Sequence, residues 1–404
     1  MSITSVRSPL KNSAGPAPTV STVMAVSIAA LVVVGQLYAV LPLINTLADH
    51  FGTSPATAAW ASTAFGFAYA VGMLVAGPLS DAVGRRRVAV AGLLAGALGT
   101  LLVSVSPSFA LLLATRVVQG AAAAFFPPVA LAYLTERIAP QRRSAALTTV
   151  ISAFLAAAIV APLAAATLAD LGGWRTWFYV SAAVLVILAG VLWRVMLPDS
   201  RTRGTTASSI VTTQLAALPT LLRRGRLVAL YLATLSVMVT FVGVTTLVQL
   251  AGPGTAGHSA VMQGVRAATL PACVIVPIAA PLLARLTGAR RLVVAMILVA
   301  LAAVATAAAT GPVTLALTLG VMTLGVATTA PALVETISQA SPPDQRGAAT
   351  ALYGFALFVG ASLGAPAAVV VNIPYSATAT GFAAIAALGS LSAFLATHTS
   401  NAHT

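Results

Sequence analysis

Long apolar runs alternate with short polar connections along almost the whole chain. Each run holds about 20 residues or more, which is the length that an α-helix needs to cross the hydrocarbon core of a bilayer. The runs lie at 20–46, 56–79, 87–106, 108–134, 145–169, 174–197, 227–251, 259–284, 291–311, 313–337, 347–371 and 374–397. This pattern predicts an all-α integral membrane protein with twelve transmembrane helices.

Prolines inside several runs predict kinks in these helices. Proline lacks a backbone N–H donor, and it disfavours a helical conformation in the residue before it. The positions are Pro127, Pro128, Pro271, Pro277 and Pro331. We therefore expect bends in the fourth, eighth and tenth spans.

One long connection, at 198–226, divides the runs into two sets of six. It is rich in Ser, Thr and Arg, and we interpret it as a cytoplasmic linker. The predicted units are a cytoplasmic tail at 1–19, six-helix bundles at 20–197 and 227–397, and a tail at 398–404. The first run is longer than the apolar part of a signal peptide and has no clear cleavage site, so we expect it to be a retained span.

The two halves repeat each other at an offset of about 204 residues. The corresponding positions are Gly84 and Gly288, Arg86 and Arg290, Arg87 and Arg291, Pro162 and Pro366, and Phe178 and Phe382. Several matches at one offset indicate a duplication, which fixes the architecture before any other feature is considered. Two repeated bundles are the plan of a secondary transporter with a site at the middle of the membrane.

Composition excludes most other classes of protein. Charged residues make up 7% of the chain and hydrophobic residues 59%, with a mean hydropathy of +0.99. A soluble domain has about 25% charged residues, so a soluble enzyme is excluded. The single lysine, Lys11, lies in the N-terminal tail, so the chain has no phosphate-binding loop and ATP is not expected to drive it. With Cys273 as the single cysteine and only four histidines, neither a disulfide nor a metal site is expected.

The basic residues predict the orientation in the membrane. The net charge is +14, but the arginines are scattered between apolar runs, so orientation in a bilayer explains them better than nucleic-acid binding. With both termini in the cytoplasm, 18 of the 21 basic residues fall on the cytoplasmic side. Arg175 and Arg266 then fall on the outer side, and Arg116 lies inside the fourth run.

The connection between the second and third runs carries the most specific motif. We expect Gly77 to allow two helices to approach closely and Gly84 to permit a tight turn. Asp81 can pair with an arginine or with the start of the next helix. The whole pattern is Gly77-x-Leu79-x-Asp81-x-x-Gly84-Arg85-Arg86-Arg87. It resembles the loop 2–3 signature of the major facilitator superfamily, except that Ala82 replaces the basic residue often found after the Asp.

The resemblance continues along the chain. Leu112, Arg116, Gln119 and Gly120 match the pattern of the family's fourth helix, and residues 172–178 open the sixth run as in its drug/proton antiporter branch. In the fifth run that branch usually carries glycines. The corresponding residues here are Ala157, Ala161, Pro162, Ala165 and Ala166, so the proline is kept and every glycine is alanine.

This resemblance implies the fold of the superfamily: two pseudo-symmetric six-helix bundles around a cavity that opens alternately to each side. It implies a conformational latch at Gly77, Asp81, Gly84, Arg85, Arg86 and Arg87. It implies a coupling role for Arg116, Gln119 and Gly120, and a helix-5 motif at Ala161 and Pro162. Candidate residues of the substrate cavity are Gln36, Tyr38, Trp60, Phe126, Phe154, Phe241, Gln263, Tyr353 and Phe358.

The seven acidic residues fall at the ends of runs or in connections, so none lies at mid-membrane. Arg116 should therefore face a cavity or a polar partner, because an unpaired charge inside a span is costly. A neutral, weakly charged or anionic substrate is favoured over a strongly cationic one. Proton coupling would use a peripheral acid such as Asp49, Asp81 or Glu136, or would act through Arg116.

The expected function is the export of small organic molecules, drug-like or metabolic, in exchange for protons. The protein would be a monomeric multidrug-type efflux antiporter of a bacterial-type inner membrane. Its partners would be the lipid bilayer and its substrate, with no cofactor and no nucleic acid. A sugar or metabolite transporter working in either direction is an alternative, as is a non-transporting membrane sensor or scaffold. A membrane enzyme is disfavoured because His, Cys and carboxylates are not clustered.

Overall fold

The computed structural model describes residues 19–198, 207–283, 285–369 and 373–398, and within these ranges the chain is helical with no strand. The tails predicted at 1–19 and 398–404 lie almost entirely outside the described residues. The α-helices are α1 (Thr19–Tyr38), α2 (Ile44–Phe51), α3 (Pro55–Val83), α4 (Arg85–Ser104), α5 (Phe109–Ala123), α6 (Pro127–Arg137), α7 (Pro140–Gly172), α8 (Arg175–Val195), α9 (Ala207–Leu222), α10 (Gly225–Ala251), α11 (Ser259–Ala267), α12 (Leu270–Leu283), α13 (Gly288–Ala307), α14 (Pro312–Ala340), α15 (Arg346–Ala368) and α16 (Tyr375–His398).

Twelve stretches of the described chain are long and apolar enough to cross a membrane, as the hydrophobic pattern predicts. Large apolar side chains remain exposed on several of them, including Ile187, Ile275 and Leu301. Such side chains are stable against lipid and would not be stable in such numbers against water. The twelve-span prediction and the all-α fold class are confirmed.

Three of the spans are interrupted, and each interruption lies beside a proline. The first span breaks between α1 and α2 next to Pro42, the fourth between α5 and α6 before Pro127, and the eighth between α11 and α12 before Pro271. The kinks predicted at Pro127 and Pro271 are therefore present as breaks. By contrast, α14 continues through Pro331 without interruption, and Pro277 lies within α12.

The same pairs of helices pack together in each half. In the first half α1 packs on α7, α4 on α8, and α5 on both α3 and α4. The corresponding pairs in the second half are α10 with α15, α13 with α16, and α14 with both α12 and α13. This repetition of contacts is what a duplicated six-helix unit requires.

The halves meet along α3 and α15, and again where α7 packs on α11 and α12. We call the end of the molecule that carries the α3–α4 turn, with Arg85 to Arg87, the basic end, and the opposite end the far end. Along the first contact the Tyr69 and Phe358 rings lie 4.3 Å apart, centroid to centroid. Nearer the far end, the Thr63 hydroxyl donates to the Ser362 carbonyl at 2.6 Å.

The linker contains a helix that the sequence analysis did not predict. Helix α9 packs on α3 and α15 at the basic end, and its Leu221 is fully buried. The many Ser and Thr residues of this segment favour an interpretation as a polar loop. The burial of Leu221 depends on packing against other helices, which the pattern within the segment does not reveal.

Candidate functional site

A buried polar network surrounds Arg116 inside the first half. The guanidinium donates from Nε to the Ala61 carbonyl at 2.9 Å and from Nη2 to the Gln36 carbonyl at 3.1 Å. Its Nη1 donates to Gln119 Oε1 at 2.7 Å. The Gln119 amide donates in turn to Gln36 Oε1 at 3.1 Å and to the Thr100 hydroxyl at 2.7 Å. The network therefore links α1, α3, α4 and α5.

Arg116 has polar neighbours but no acidic one among the described residues. The side chain is fully buried, and its guanidinium carbon lies 4.4 Å from the centre of the Phe65 ring. Carbonyl dipoles and an aromatic face stabilise the positive charge of Arg116, whereas a carboxylate would neutralise it. The partner that the sequence analysis sought for Arg116 is thus a set of neutral groups on α1, α3 and its own helix, α5.

Gly120, next to this network, allows α5 to lie against α3. A Cβ atom at Gly120 would collide with the backbone oxygen of Phe65. The small residues of the helix-5 motif act in the same way, because a Cβ at Gly35 of α1 would lie 2.7 Å from the Cβ of Ala161. Both contacts depend on residues no larger than Gly or Ala at these positions.

The α3–α4 turn brings the charged residues of the loop motif together. Gly84 has φ of 110°, a conformation that glycine adopts without strain. Arg85 Nη2 lies 2.5 Å from Asp81 Oδ1 and 2.7 Å from Glu136 Oε1 of α6. Both acids are about half exposed, whereas the Arg85 side chain is 15% exposed. Both ion pairs lie within the first half.

The other residues of the motif differ from one another in their surroundings. Arg86 packs over the Trp193 ring at 4.0 Å and donates to its carbonyl, which ties α4 to α8. Arg87 is exposed. The close approach expected at Gly77 is not present, because a Cβ there would meet no atom within 4 Å.

The second half has an equivalent ion pair that its sequence motif does not reveal. Arg291, at the start of α13, pairs with Glu335 near the end of α14. A Cβ at Gly288 would lie 2.8 Å from the Glu335 carboxyl carbon, so a larger residue there would displace the carboxylate from its present position. The second copy of the loop has lost its acid, and an acid from the neighbouring span takes its place. Glu136 and Glu335 are thus partners that the motif spacing does not predict.

A narrow cavity lies between the two halves, towards the far end. Its empty volume is about 390 Å³, open solvent included. The first half contributes residues of the α1–α2 connection and of α7, and the second half contributes α10, α11 and α14. The residues that line it are Leu41, Ala158, Ile159, Pro162, Phe241, Thr245, Met262, Arg266, Thr269, Leu319 and Thr323.

Arg266 is buried in this cavity, whereas its sequence position indicated only that it falls on the outer side of the membrane. It lies in α11 and is 7% exposed. Counting charges assigns a basic residue to one side of the membrane, but it does not show whether the side chain lies on the surface or between helices. Among the described residues, no three His, Cys, Asp or Glu side chains group together as metal ligands would.

The predicted cavity residues are dispersed. Phe241 lines the cavity between the halves, together with Pro162 of the helix-5 motif. One turn of α11 before Arg266, Gln263 lies 3.4 Å from the Thr167 hydroxyl of α7, so it joins the two halves at the edge of the cavity. Gln36 borders a smaller void inside the first half, with Thr100 and Gln119.

The remaining residues predicted to form the cavity line neither the cavity between the halves nor the void inside the first half. Phe358 packs on Tyr69 between α3 and α15. Tyr38 and Phe126 are buried in the apolar core, and Phe154 and Tyr353 are partly buried against it. Trp60 is 51% exposed on α3. A polar or aromatic side chain inside a span therefore does not by itself indicate the cavity, because the direction of the side chain decides.

The chain matches the family model described as Major Facilitator Superfamily over residues 26–365. The relatives that it resembles include a putative uncharacterized transporter, YgaY, of Escherichia coli (strain K12), 34% identical over 175 residues, or 43% of each chain. The inner membrane transport protein YnfM of the same organism is 30% identical over 173 residues, 43% of this chain and 41% of that protein.

A third relative is a multidrug resistance protein B homolog of Mycobacterium tuberculosis (strain ATCC 25618 / H37Rv). It is 31% identical over 157 residues, 39% of this chain and 29% of that protein. In each of these three comparisons the matched segment spans less than half of the relative's length.

Proposed function

The chain belongs to the major facilitator superfamily, and from this premise we propose that it is a secondary active transporter that exports small organic molecules in exchange for protons. The observation that carries the proposal is the cavity between the two halves, which is lined from both of them. A site shared by two bundles can open to either side when the bundles rock about it.

The contacts between the halves support movement of this kind. On one side α3 packs on α15, and on the other α7 packs on α11 and α12. Two interrupted spans border the cavity, at Leu41 and at Thr269. In our proposal the halves move as bodies about these contacts, and the interruptions absorb the local change in backbone angles.

The ion pairs at the basic end support a role as a conformational latch. Arg85 connects α4 to Asp81 of α3 and to Glu136 of α6, so in this conformation it holds the ends of three helices together. Each half-exposed pair contributes only about 0–1 kcal/mol. A contact of that strength can form and break in every cycle, as a latch requires.

Proton coupling and direction rest on the family resemblance and on the distribution of charge. Asp81 and Glu136 are the acids of the proposed latch, and Arg116 is the buried cation of the same half. No cofactor enters the proposed cycle. We propose a bacterial-type inner membrane, both termini in the cytoplasm and a single chain as the working unit. One relative is named as an inner membrane transport protein and another as a multidrug resistance protein homolog.

Transport by the purified chain in proteoliposomes tests the proposal. The probes are 2-naphthoate, ethidium and glucose, which represent anionic, cationic and neutral organic compounds. With an imposed pH gradient we expect flux of at least one probe, and slower flux when the gradient is collapsed. Flux that is the same with and without the pH gradient would overturn proton exchange and would indicate facilitated diffusion instead. Absence of flux for all three, and of growth protection against a panel of antibiotics, would contradict the proposed export.

A further inference from the structure

Arg266 is a buried cation that borders the cavity between the halves and has no partner there. Its side chain lines the cavity, and its Nη2 is buried without a hydrogen-bond acceptor. None of the ion pairs in the described part of the chain involves Arg266. The Arg266 backbone carbonyl, by contrast, is satisfied by the Thr269 hydroxyl at 2.7 Å.

The lack of a hydrogen-bond acceptor at Arg266 Nη2 contrasts with the surroundings of Arg116. Both arginines are buried in membrane-spanning helices, but Arg116 donates to acceptors from all three of its nitrogens. A buried charge without such acceptors is strongly destabilising. All three nitrogens of Arg116 therefore have hydrogen-bond acceptors, whereas Arg266 Nη2 lacks an acceptor that a bound ligand could supply.

The rest of the cavity wall offers no competing donor among its hydroxyl groups. The Thr245 hydroxyl donates to the Phe241 carbonyl at 2.8 Å, and the Thr323 hydroxyl to the Leu319 carbonyl at 2.8 Å. The Thr269 hydroxyl donates to the backbone carbonyl of Arg266. Most of the other lining side chains are apolar, so the wall combines one cationic group with an apolar surface.

We propose that Arg266 binds the anionic group of the transported molecule, and that this molecule is a small amphiphilic carboxylate. The proposal rests on the transport function proposed above for the same cavity. A guanidinium can donate two parallel N–H groups to the two oxygens of a carboxylate, which fixes both its position and its orientation. The apolar body of the guest would then lie against Ile159, Phe241 and Leu319.

The position of Arg266 also gives the guest a role in the cycle. The arginine belongs to α11 of the second half and shares the cavity with α7 of the first. Closing the halves around an empty cavity buries a bare charge, whereas closing them around a bound anion buries a neutral pair. A ligand shifts an equilibrium by its difference in affinity for the two states, so the anion favours closure.

Binding measurements on the purified full chain test this proposal with 2-naphthoate and its neutral counterpart, 2-naphthamide. In Arg266→Gln we expect the affinity for 2-naphthoate to fall about tenfold or more, since a charge-assisted pair is lost, and the affinity for 2-naphthamide to change less than about twofold. The affinity of Arg266→Lys for 2-naphthoate should lie between those of the unmodified chain and Arg266→Gln. Lysine keeps the positive charge but cannot donate two parallel N–H groups to the carboxylate. The matched control is Arg290→Gln, which removes the same charge at an exposed position and should bind as the unmodified chain does.

Thermal unfolding separates this role from a structural one. Removing an unpaired buried charge should leave the melting temperature unchanged or raise it. A lower melting temperature with parallel loss of affinity for both ligands would overturn the proposal, as would equal binding of 2-naphthoate by Arg266→Gln and the unmodified chain. No preference of the unmodified chain for 2-naphthoate over 2-naphthamide would overturn it too.

Flux in proteoliposomes tells this proposal apart from the transport function. If the unmodified chain transports but Arg266→Gln moves 2-naphthoate equally well, the anion site is wrong and transport stands. If 2-naphthoate binds through Arg266 but no compound is moved, the anion site stands and the transport function is wrong.

Discussion

At the scale of single residues, two buried arginines and a third, partly buried one carry most of the chemistry of this chain. Arg116 is held by neutral acceptors from other helices and from its own helix, so its charge is part of the first bundle's structure. Arg266 faces the cavity with a nitrogen left unbonded. Arg85 joins two acids at the basic end, where water weakens the pairs and lets them exchange.

Replacing Arg116 with alanine should destabilise the first bundle. The change leaves buried carbonyls and the Gln119 side chain without donors, and we expect a loss of about 3 kcal/mol in the free energy of unfolding. Thermal unfolding of the purified protein in detergent measures the effect. Arg290→Ala, at an exposed position, should change stability by less than about 0.5 kcal/mol. Equal melting temperatures for the two variants would contradict the role of the network.

Removing either acid of the basic end should have a small effect on stability that salt abolishes. Asp81→Asn and Glu136→Gln each lose one pair with Arg85, which is worth at most about 1 kcal/mol because both acids are half exposed. At about 1 M salt the charges are screened beyond a few ångströms. The variants and the unmodified chain should then have the same melting temperature. A difference that persists undiminished at high salt would show that these acids act through packing rather than charge.

At the scale of elements, close approaches between helices and the interruptions within them shape the bundles. Gly120 brings α5 against α3, and the pair of Gly35 and Ala161 brings α1 against α7. Prolines divide three spans at points where the backbone must change direction. In lipid there is no hydrophobic gain from pairing apolar helices, so contacts that depend on small residues carry much of the packing energy.

Gly120→Ala should force α5 away from α3. The new methyl group collides with the Phe65 backbone, which cannot move aside as a flexible side chain could, and overpacking of this kind costs about 1–3 kcal/mol. Gly190→Ala in α8 is the matched control, since a Cβ there meets no atom within 4 Å. We expect the control to be neutral or to stabilise by up to about 1 kcal/mol. Melting temperatures of the two variants in one detergent test the difference.

The linker helix should be held mainly by one leucine. Leu221 is fully buried, and the next residue, Leu222, is 52% exposed. Leu221→Asn should release α9 from α3 and α15, and hydrogen exchange of its backbone amides should become faster. Leu222→Asn changes the same kind of side chain at the exposed position and should leave exchange in α9 as it is. Identical exchange in both variants would mean that α9 is held by other contacts.

The sequence predicts elements well where a single physical cause acts. Span length follows from the thickness of the hydrocarbon core, and breaks follow from the chemistry of proline at Pro127 and Pro271. Helix α9 was not predicted because its burial comes from α3 and α15, far away along the chain. The open surroundings of Gly77 were not foreseen for the same reason, since a glycine permits a close approach without requiring one.

At the scale of the whole molecule, the duplication predicted from the 204-residue offset reappears as matching helix pairs in the two halves. Side-chain contacts between spans could not be predicted in the same way. The pairing of Arg291 with Glu335 joins two spans, and the burial of Arg266 depends on how α11 lies against α7. Sequence patterns record the environment along a helix, whereas these features depend on the direction in which a side chain points between helices.

The central claim is that the two halves move relative to each other around the cavity to transport a small molecule. Thr167 and Gln263 join α7 and α11 across that boundary, with Oγ1 and Oε1 3.4 Å apart. Cysteines at both positions, in a chain whose only cysteine is removed by Cys273→Ala, can be joined by a short bifunctional methanethiosulfonate reagent.

Flux into proteoliposomes is then measured for whichever of 2-naphthoate, ethidium and glucose moves fastest, before cross-linking, after it and after reduction. Each single-cysteine chain treated with the same reagent serves as the control. The account predicts that the cross-link stops transport, that reduction restores it and that the controls keep their flux. Undiminished transport through protein shown by mass to be cross-linked would contradict it.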